Sequence, residues 1–397
     1  MSICQPFYQI LEHFVNEKCK DLSKWAKARL VWYIFGIVVS QSVVFSRLAY
    51  RQVSVLPCSP MLASGERRLR RLANDDELDW QRAYRPALKA VICKAAEAKR
   101  LVVLVDETAQ AEHSRLLMAA LWYRSRAIPL AWHLREAKAG QFWEAMRQVL
   151  AQTAQVLPVG VEIVVVGDRG FGSPAFCDLV ASMGRHWLVR LQGQTLFKVA
   201  QGHSQAVKSW LSRAGTRRKA LGQLFKKQGW RSGSLVGVWN APHKEALLLG
   251  SSLPPDYTLV RIYKYRYAIE ALFRDFKSYG FKWEQSQVRD LEHCQKVVVG
   301  LSWGVLVAVV LGEEVAESEL KVKPTGRRYS RPHPAKFGLV YKGLERVQSY
   351  LVSKEQSPPQ WELKHFEAGR WSKQIQQHHA LAYIAVSIPQ PEVLLAA

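Results

Sequence analysis

Apolar positions along the chain follow different patterns in successive regions. Up to about residue 95 they are spaced as in helices: ARLVWYIFGIVVSQ (28–41) and SVVFSRLAY (42–50) are parted by a short polar step, and the basic stretch ERRLRRLANDDELDW (66–80) follows. From about residue 100 short apolar runs take over. LVVLV (101–105), RLLMAALWYR (115–124) and AIPLAWHL (127–134) read as strands, and QFWEAMRQVLAQTAQVL (141–157) has helical periodicity. VEIVVVG (161–167) reads as a buried strand, PAFCDLVASM (174–183) as a helix and HWLVRL (186–191) as a strand. The runs LVWYIFGIVV (30–39) and VVVGLSWGVLVAVVLG (297–312) fall short of the roughly 20 residues a membrane span needs, so both are expected to be core helices.

Three strands, helix, strand, helix, strand is the order that opens an RNase H-like α/β domain. That fold next needs a helix against its sheet. Here a Gly-rich and basic piece, SRAGTRRKALGQLFKKQGWRSG (212–233), and the strand-like runs SLVGVWN and EALLLGSS come first. A β-rich insertion at about 192–255 is expected, interrupting the α/β core. The expected organisation is a helical DNA-binding region at 1–97, a catalytic domain at 98–312 and a helical or extended C-terminal region at 313–397. The last includes the connector KVKPTGRRYSRPHPAKFG (321–338) and a loose tail, SIPQPEVLLAA.

Charge narrows the partner. Lys and Arg number 56 against 33 Asp and Glu, a net +23 that favours a polyanion, either nucleic acid or an anionic membrane. With no run long enough to span a bilayer, double-stranded DNA is the expected partner, and no membrane. The densest basic sites are Arg67, Arg68, Arg70 and Arg71; Arg217, Arg218 and Lys219; Lys226 and Lys227; and Arg327 and Arg328. Short helices beside a basic patch suit a helix-turn-helix unit; a plain helical bundle with a solvated face has the same pattern. Six cysteines without a CxxC pair, and an N-terminus without a signal-peptide pattern, fit a reducing cytoplasm. HExxH, GxxxxGK[ST] and GxSxG are all missing from the sequence, leaving nucleotide hydrolysis and acyl transfer without a motif.

Metal-assisted phosphodiester chemistry needs carboxylates that converge from separate elements. Asp106 and Asp168 each end an apolar run that reads as a buried strand, although an ordinary turn also supplies an aspartate there. The stretch YKYRYAIEALFRDFK (263–277) offers a third acid. At 100° per residue, Tyr263, Arg266, Glu270 and Lys277 fall within about 60° of one another, and Asp275 lies roughly 140° from Glu270. Cations on that stripe suit phosphate contact, and they equally suit exposed ion pairs with Glu270. Glu107, next to Asp106, is expected to point elsewhere because side chains alternate along a strand.

The spacing Tyr263-x2-Arg266-x3-Glu270-x6-Lys277 resembles the YREK signature of bacterial insertion-sequence DDE transposases. DET (106–108) resembles their first-aspartate segment and GDRGFGSPAFCDLV (167–180) their second. An insertion before the catalytic Glu is also a feature of that family. The resemblance implies an RNase H-like core with Asp106, Asp168 and Glu270 as catalytic residues and ligands of Mg²⁺, two ions in all, with Mn²⁺ able to substitute. It implies phosphate contacts by Tyr263, Arg266 and Lys277, action on terminal inverted repeats and target DNA, and a homodimer in the synaptic complex. Family members free a 3′-hydroxyl, which in related groups forms a hairpin, and the 3′ end then attacks target DNA. A tryptophan of the insertion can stack on a flipped base; Trp239 is the candidate here, Trp230 the next, and a core role suits either. Arg169 and Arg190 are further candidate DNA contacts. Two other readings stay open: a catalytically inactive or domesticated DNA-binding relative, and an RNase H-like nuclease without strand transfer.

Overall fold

The computed structural model of the chain describes residues 6–56, 62–72, 74–111, 114–137, 140–199, 202–241, 243–286, 288–321, 338–352 and 358–366. Arg327, Arg328, the rest of their connector and the C-terminal tail lie outside these residues. The chain divides into two compact units, Met1–Val166 with Tyr265–Glu367, and Gly167–Lys264 with Ala368–Ala397.

The first unit opens with α1 (Pro6–Lys18), α2 (Lys24–Ser40), α3 (Phe45–Val55), α4 (Leu62–Leu72) and α5 (Arg85–Val91). Ser23 caps α2 by accepting from the Ala26 N–H at 3.2 Å. Next come β1 (Arg100–Ala111), β2 (Ser114–Tyr123), β3 (Arg126–Glu136), α6 (Phe142–Ala154) and β4 (Glu162–Gly167). In this unit the strand order is β3-β2-β1-β4, with β1/β2 and β2/β3 antiparallel. The second unit holds α7 (Pro174–Ser182), β5 (His186–Arg190), β6 (Leu196–Lys198), β7 (Gln205–Ala206), β8 (Arg217–Leu224), β9 (Arg231–Val238), β10 (Leu247–Ser251) and α8 (Thr258–Lys264). Its strands run in the order β5-β10-β9-β8-β6-β7, every neighbouring pair antiparallel. The chain then returns to the first unit as α9 (Tyr267–Arg274), α10 (Leu291–Lys321) and α11 (Leu339–Val352).

Strands and helices between residues 100 and 191 follow the apolar pattern closely, with one correction. The run 101–105 does not end its strand at Asp106. β1 continues to Ala111, because Asp106 through Ala109 stay paired with Met118 through Arg115 of β2. A polar residue does not stop a strand whose backbone groups still have a partner.

α10 organises the first unit. Asp290 caps it, accepting from the His293 N–H at 2.9 Å, and apolar residues from Val297 to Leu311 are buried on all its faces. A helix apolar all round must be covered all round, and α2, α11 and β3 pack on it. Trp303 donates its indole N–H to the Ala83 carbonyl at 2.8 Å, tying the helix to the segment before α5. The expectation that this run is too short for a span needs correcting, since the helix containing it extends well beyond its apolar stretch and is long and apolar enough by composition. Its apolar window is 94% buried, which makes it a core helix.

The α10–α11 crossing depends on glycine. A Cβ on Gly343 would meet the Ala308 carbonyl, and one on Gly312 would meet the Leu339 carbonyl. Backbones this close leave no room for a methyl. Gly343→Ala is therefore expected to destabilise the protein by about 1–3 kcal/mol, the range for overpacked sites. Gly65→Ala in α4 is the contrast: its Cβ would meet Ala49 Cβ at an ordinary 3.5 Å, and the better helix propensity of alanine should leave stability unchanged or raised by up to about 1 kcal/mol. Thermal denaturation of the two variants checks both.

Candidate active site

Asp106 lies mid-strand in β1, on a sheet whose preceding residues Leu101–Val105 are at most 1% exposed. Its carboxylate accepts from the Glu107 N–H at 2.9 Å and from Arg266 Nη1 at 3.4 Å. Glu107 has a different partner, a two-point ion pair with Arg135 of β3 at 2.9 and 3.0 Å. The alternation expected along the strand therefore separates the two neighbouring acids, and Glu107 is neutralised by a residue the sequence did not single out.

Glu270 is in the first turn of α9, where a helix favours negative charge. Ala268, Ile269, Leu272 and Phe273 of α9 are buried, and the helix packs on β3 and β1. Just ahead of it, Tyr265 stacks on Trp122 of β2 with ring centroids 3.9 Å apart, which fixes where α9 begins. Arg266 Nη2 donates to Glu270 Oε1 at 2.6 Å while Nη1 reaches Asp106. One guanidinium, 13% exposed, thus bridges two carboxylates that come from a strand and a helix.

The single ideal helix assumed for 263–277 is not what forms. α8 ends at Lys264, the Ala268 and Ile269 N–H groups bond three residues back to Tyr265 and Arg266, and Asp275–Tyr279 widen into a π-turn. The 100° rule therefore does not carry from Tyr263 to Lys277, although the Arg266–Glu270 pairing survives as an i,i+4 contact. Tyr263 is only 5% exposed, in α8 of the second unit, and Lys277 is half-buried in the π-turn. Asp275 pairs with Arg126 at 3.8 Å, and burial pushes its carboxyl above the usual range.

In the second unit, Asp168 is the first residue after β4, the strand beside β1. It is half-buried and accepts from the Gly170 N–H at 2.7 Å, capping the short turn Arg169–Phe171. Arg169 and Arg190 both bind Glu245, the former at 2.6 Å, and the Arg169 hydrogen bond holds the Glu245 carboxyl below its usual range. On β8, Arg217 and Lys219 lie over the Tyr257 ring and Arg218 over Trp210. Trp239 donates its indole N–H to the His243 carbonyl at 2.9 Å; Trp230 is half-buried. On α4 of the first unit, Arg70 pairs with Glu66 at 2.7 Å, Arg68 lies over Trp32, and Arg67 and Arg71 are exposed.

Another group with metal-ligating side chains went unnoticed in the sequence. Glu313 and Glu317, one turn apart on α10, meet His365, with ligand atoms within 4.8 Å of one another. The i,i+4 acids were legible; the histidine, brought from a distant segment, was not. Glu313 already accepts from Tyr123 and faces Arg124 at 3.4 Å, so its charge is answered without an ion.

Residues 129–303 match the family model described as Transposase DDE domain. Asp168 and Glu270 fall inside that span and Asp106 outside it. No curated protein matches the sequence. Among solved structures there is a slight likeness to the Argonaute of Aquifex aeolicus, with 9% identity and a TM-score of 0.22, covering 48% of this chain and 28% of that one. The chain thus spans less than a third of that protein's length. On this match, residues 129–303 of the chain are similar to a transposase DDE domain.

Proposed function

We propose that the chain cleaves the ends of its own insertion sequence and joins the freed 3′-hydroxyls to target DNA, as a cut-and-paste transposase of the YREK subgroup. The observation that carries this reading is the gathering of Asp106 and Glu270 around one positive group, Arg266. Both donors are hard oxygens, and the position between them already accepts a cation, so the set fits Mg²⁺, with Mn²⁺ able to substitute. Asp168, in the stretch GDRGFGSPAFCDLV that resembles the second-aspartate segment of these enzymes, is the third proposed ligand. When bound there, two ions supply an activated attacking oxygen and neutralise the leaving one.

The chain's own groups do the rest. Arg266 and Lys277 hold phosphates beside the scissile bond, guanidinium suiting two-point contact. Tyr263, with little exposure, is the weakest of the three for that task. Arg169 and Arg190, preorganised on Glu245, and Arg217, Arg218 and Lys219, braced on aromatic rings, extend the phosphate contacts. The His243 carbonyl fixes the ring of Trp239, as stacking on an extruded base of a hairpin intermediate requires. Helices within 1–97 grip terminal-repeat DNA through Arg67, Arg68, Arg70 and Arg71. The catalytic domain spans 98–312 with an RNase H-like core and the insertion at about 192–255, and 313–397 forms a helical or extended C-terminal region. The working form is a homodimer in a synaptic complex, acting on DNA in the cytoplasm.

Asp106→Asn is expected to lower cleavage of end-containing DNA by at least about 100-fold, as losing one catalytic group does, while Glu107→Gln, which keeps one of the two oxygens that accept from Arg135, stays within about tenfold of the parent. Equal losses in the two variants would remove Asp106 from the metal site. Strand transfer is tested separately: pre-cut ends incubated with a supercoiled plasmid and Mg²⁺ should yield joined products, and a nuclease would yield none. Binding of terminal-repeat DNA should show a steep salt dependence, and alanine at Arg67, Arg68, Arg70 and Arg71 should reduce its slope by about 0.9 for each arginine that touches a phosphate. An unchanged slope would take the DNA grip away from α4.

A further inference from the structure

Arg266 sits where the proposed reading wants two incompatible things. As a phosphate holder it must reach outward to DNA; in the structure it lies inward, Nη2 on Glu270 at 2.6 Å and Nη1 on Asp106 at 3.4 Å. Asp106 and Arg266 are only 15% and 13% exposed, and Glu270 is 45% exposed. Two carboxylates this near, one of them largely desolvated, repel each other unless a cation lies between them, and Arg266 supplies one. Arginine is permanently charged and its planar fork can contact both acids at once, so the pairing needs no metal.

We propose that Arg266 is the resident counter-ion of the DNA-free site: it occupies the place of the divalent ion and must leave before that ion binds. This rests on the reading of Asp106 and Glu270 as metal ligands. Displacement alone is costly, because metal entry would leave the guanidinium facing a divalent ion at short range. A phosphate of the bound DNA end gives Arg266 a new acceptor and so lowers that cost. Metal loading is thereby coupled to DNA occupancy, and by linkage the coupling is reciprocal: metal in the site favours the outward, phosphate-holding Arg266. Without DNA the site is self-neutralised and resists filling.

The test is Mn²⁺ alone, titrated into the full DNA-free chain and followed by the electron paramagnetic resonance of the free ion. Arg266→Gln should tighten Mn²⁺ binding by at least about tenfold over the parent, since a unit charge is removed from between the ligands, while lowering DNA cleavage. The added Mn²⁺ should also raise the thermal midpoint of Arg266→Gln more than that of the parent. Arg266→Lys, a single point charge without the fork, should give a smaller tightening and serves if the glutamine variant folds poorly. Adding Asp106→Asn and Glu270→Gln to Arg266→Gln separates the two ideas. If the Arg266 variants bind Mn²⁺ no tighter than the parent, the counter-ion role is overturned and the metal reading is left to the cleavage test. If Arg266→Gln binds tighter and the two further changes leave that tightening in place, the ion does not sit on Asp106 and Glu270, and the metal reading fails with the counter-ion role.

Discussion

The burial of α10 is the constraint from which the first unit follows. A helix apolar on every face cannot lie on a surface, so something must cover each side. α2, itself apolar along most of its length, takes one flank, and α11 crosses close enough to exclude a Cβ at Gly312 and Gly343. β3 takes another flank and lies at one edge of the four-strand order β3-β2-β1-β4. α9 packs on that same sheet through β3 and β1. The acid on β1 and the acid on α9 are thus brought together by packing that the core helix requires, and no bond between the two acids is needed to hold them.

What that packing creates is an electrostatic problem with a local answer. Asp106 and Glu270 are close enough to share one guanidinium, and Arg266 satisfies both from a backbone position that the Tyr265–Trp122 stack fixes. Nearby acids are answered one by one: Glu107 by Arg135, Asp275 by Arg126, Glu313 by Arg124 and Tyr123. Arg266, by contrast with a one-to-one pair, faces two acids at once.

Much of this was legible in the chain. Elements between residues 100 and 191 follow from apolar periodicity because each has one buried face or is buried on both. The separation of Asp106 from Glu107 follows from the pleat alone. The local stretch 263–277 was harder. Its periodicity reads as one helix, yet the segment tightens at 265–266 and widens at 275–279. Helix periodicity describes side-chain placement and says nothing of where the hydrogen-bond ladder is interrupted by packing.

By itself the sequence determined the element order, the apolar character of the core helix, the positive charge and the carboxylate and cation types spaced as in YREK transposases. These are properties of residue type and spacing, and local chemistry is enough to read them. Only the tertiary structure decided that β1 runs past Asp106, that Glu245 holds Arg169 and Arg190, that His365 meets Glu313 and Glu317, and that Arg266 lies between Asp106 and Glu270. Each of those is a pairing of groups distant in sequence or a choice among several acceptors within reach. Such choices depend on which backbones the hydrophobic packing brings near, and a linear pattern does not contain that information.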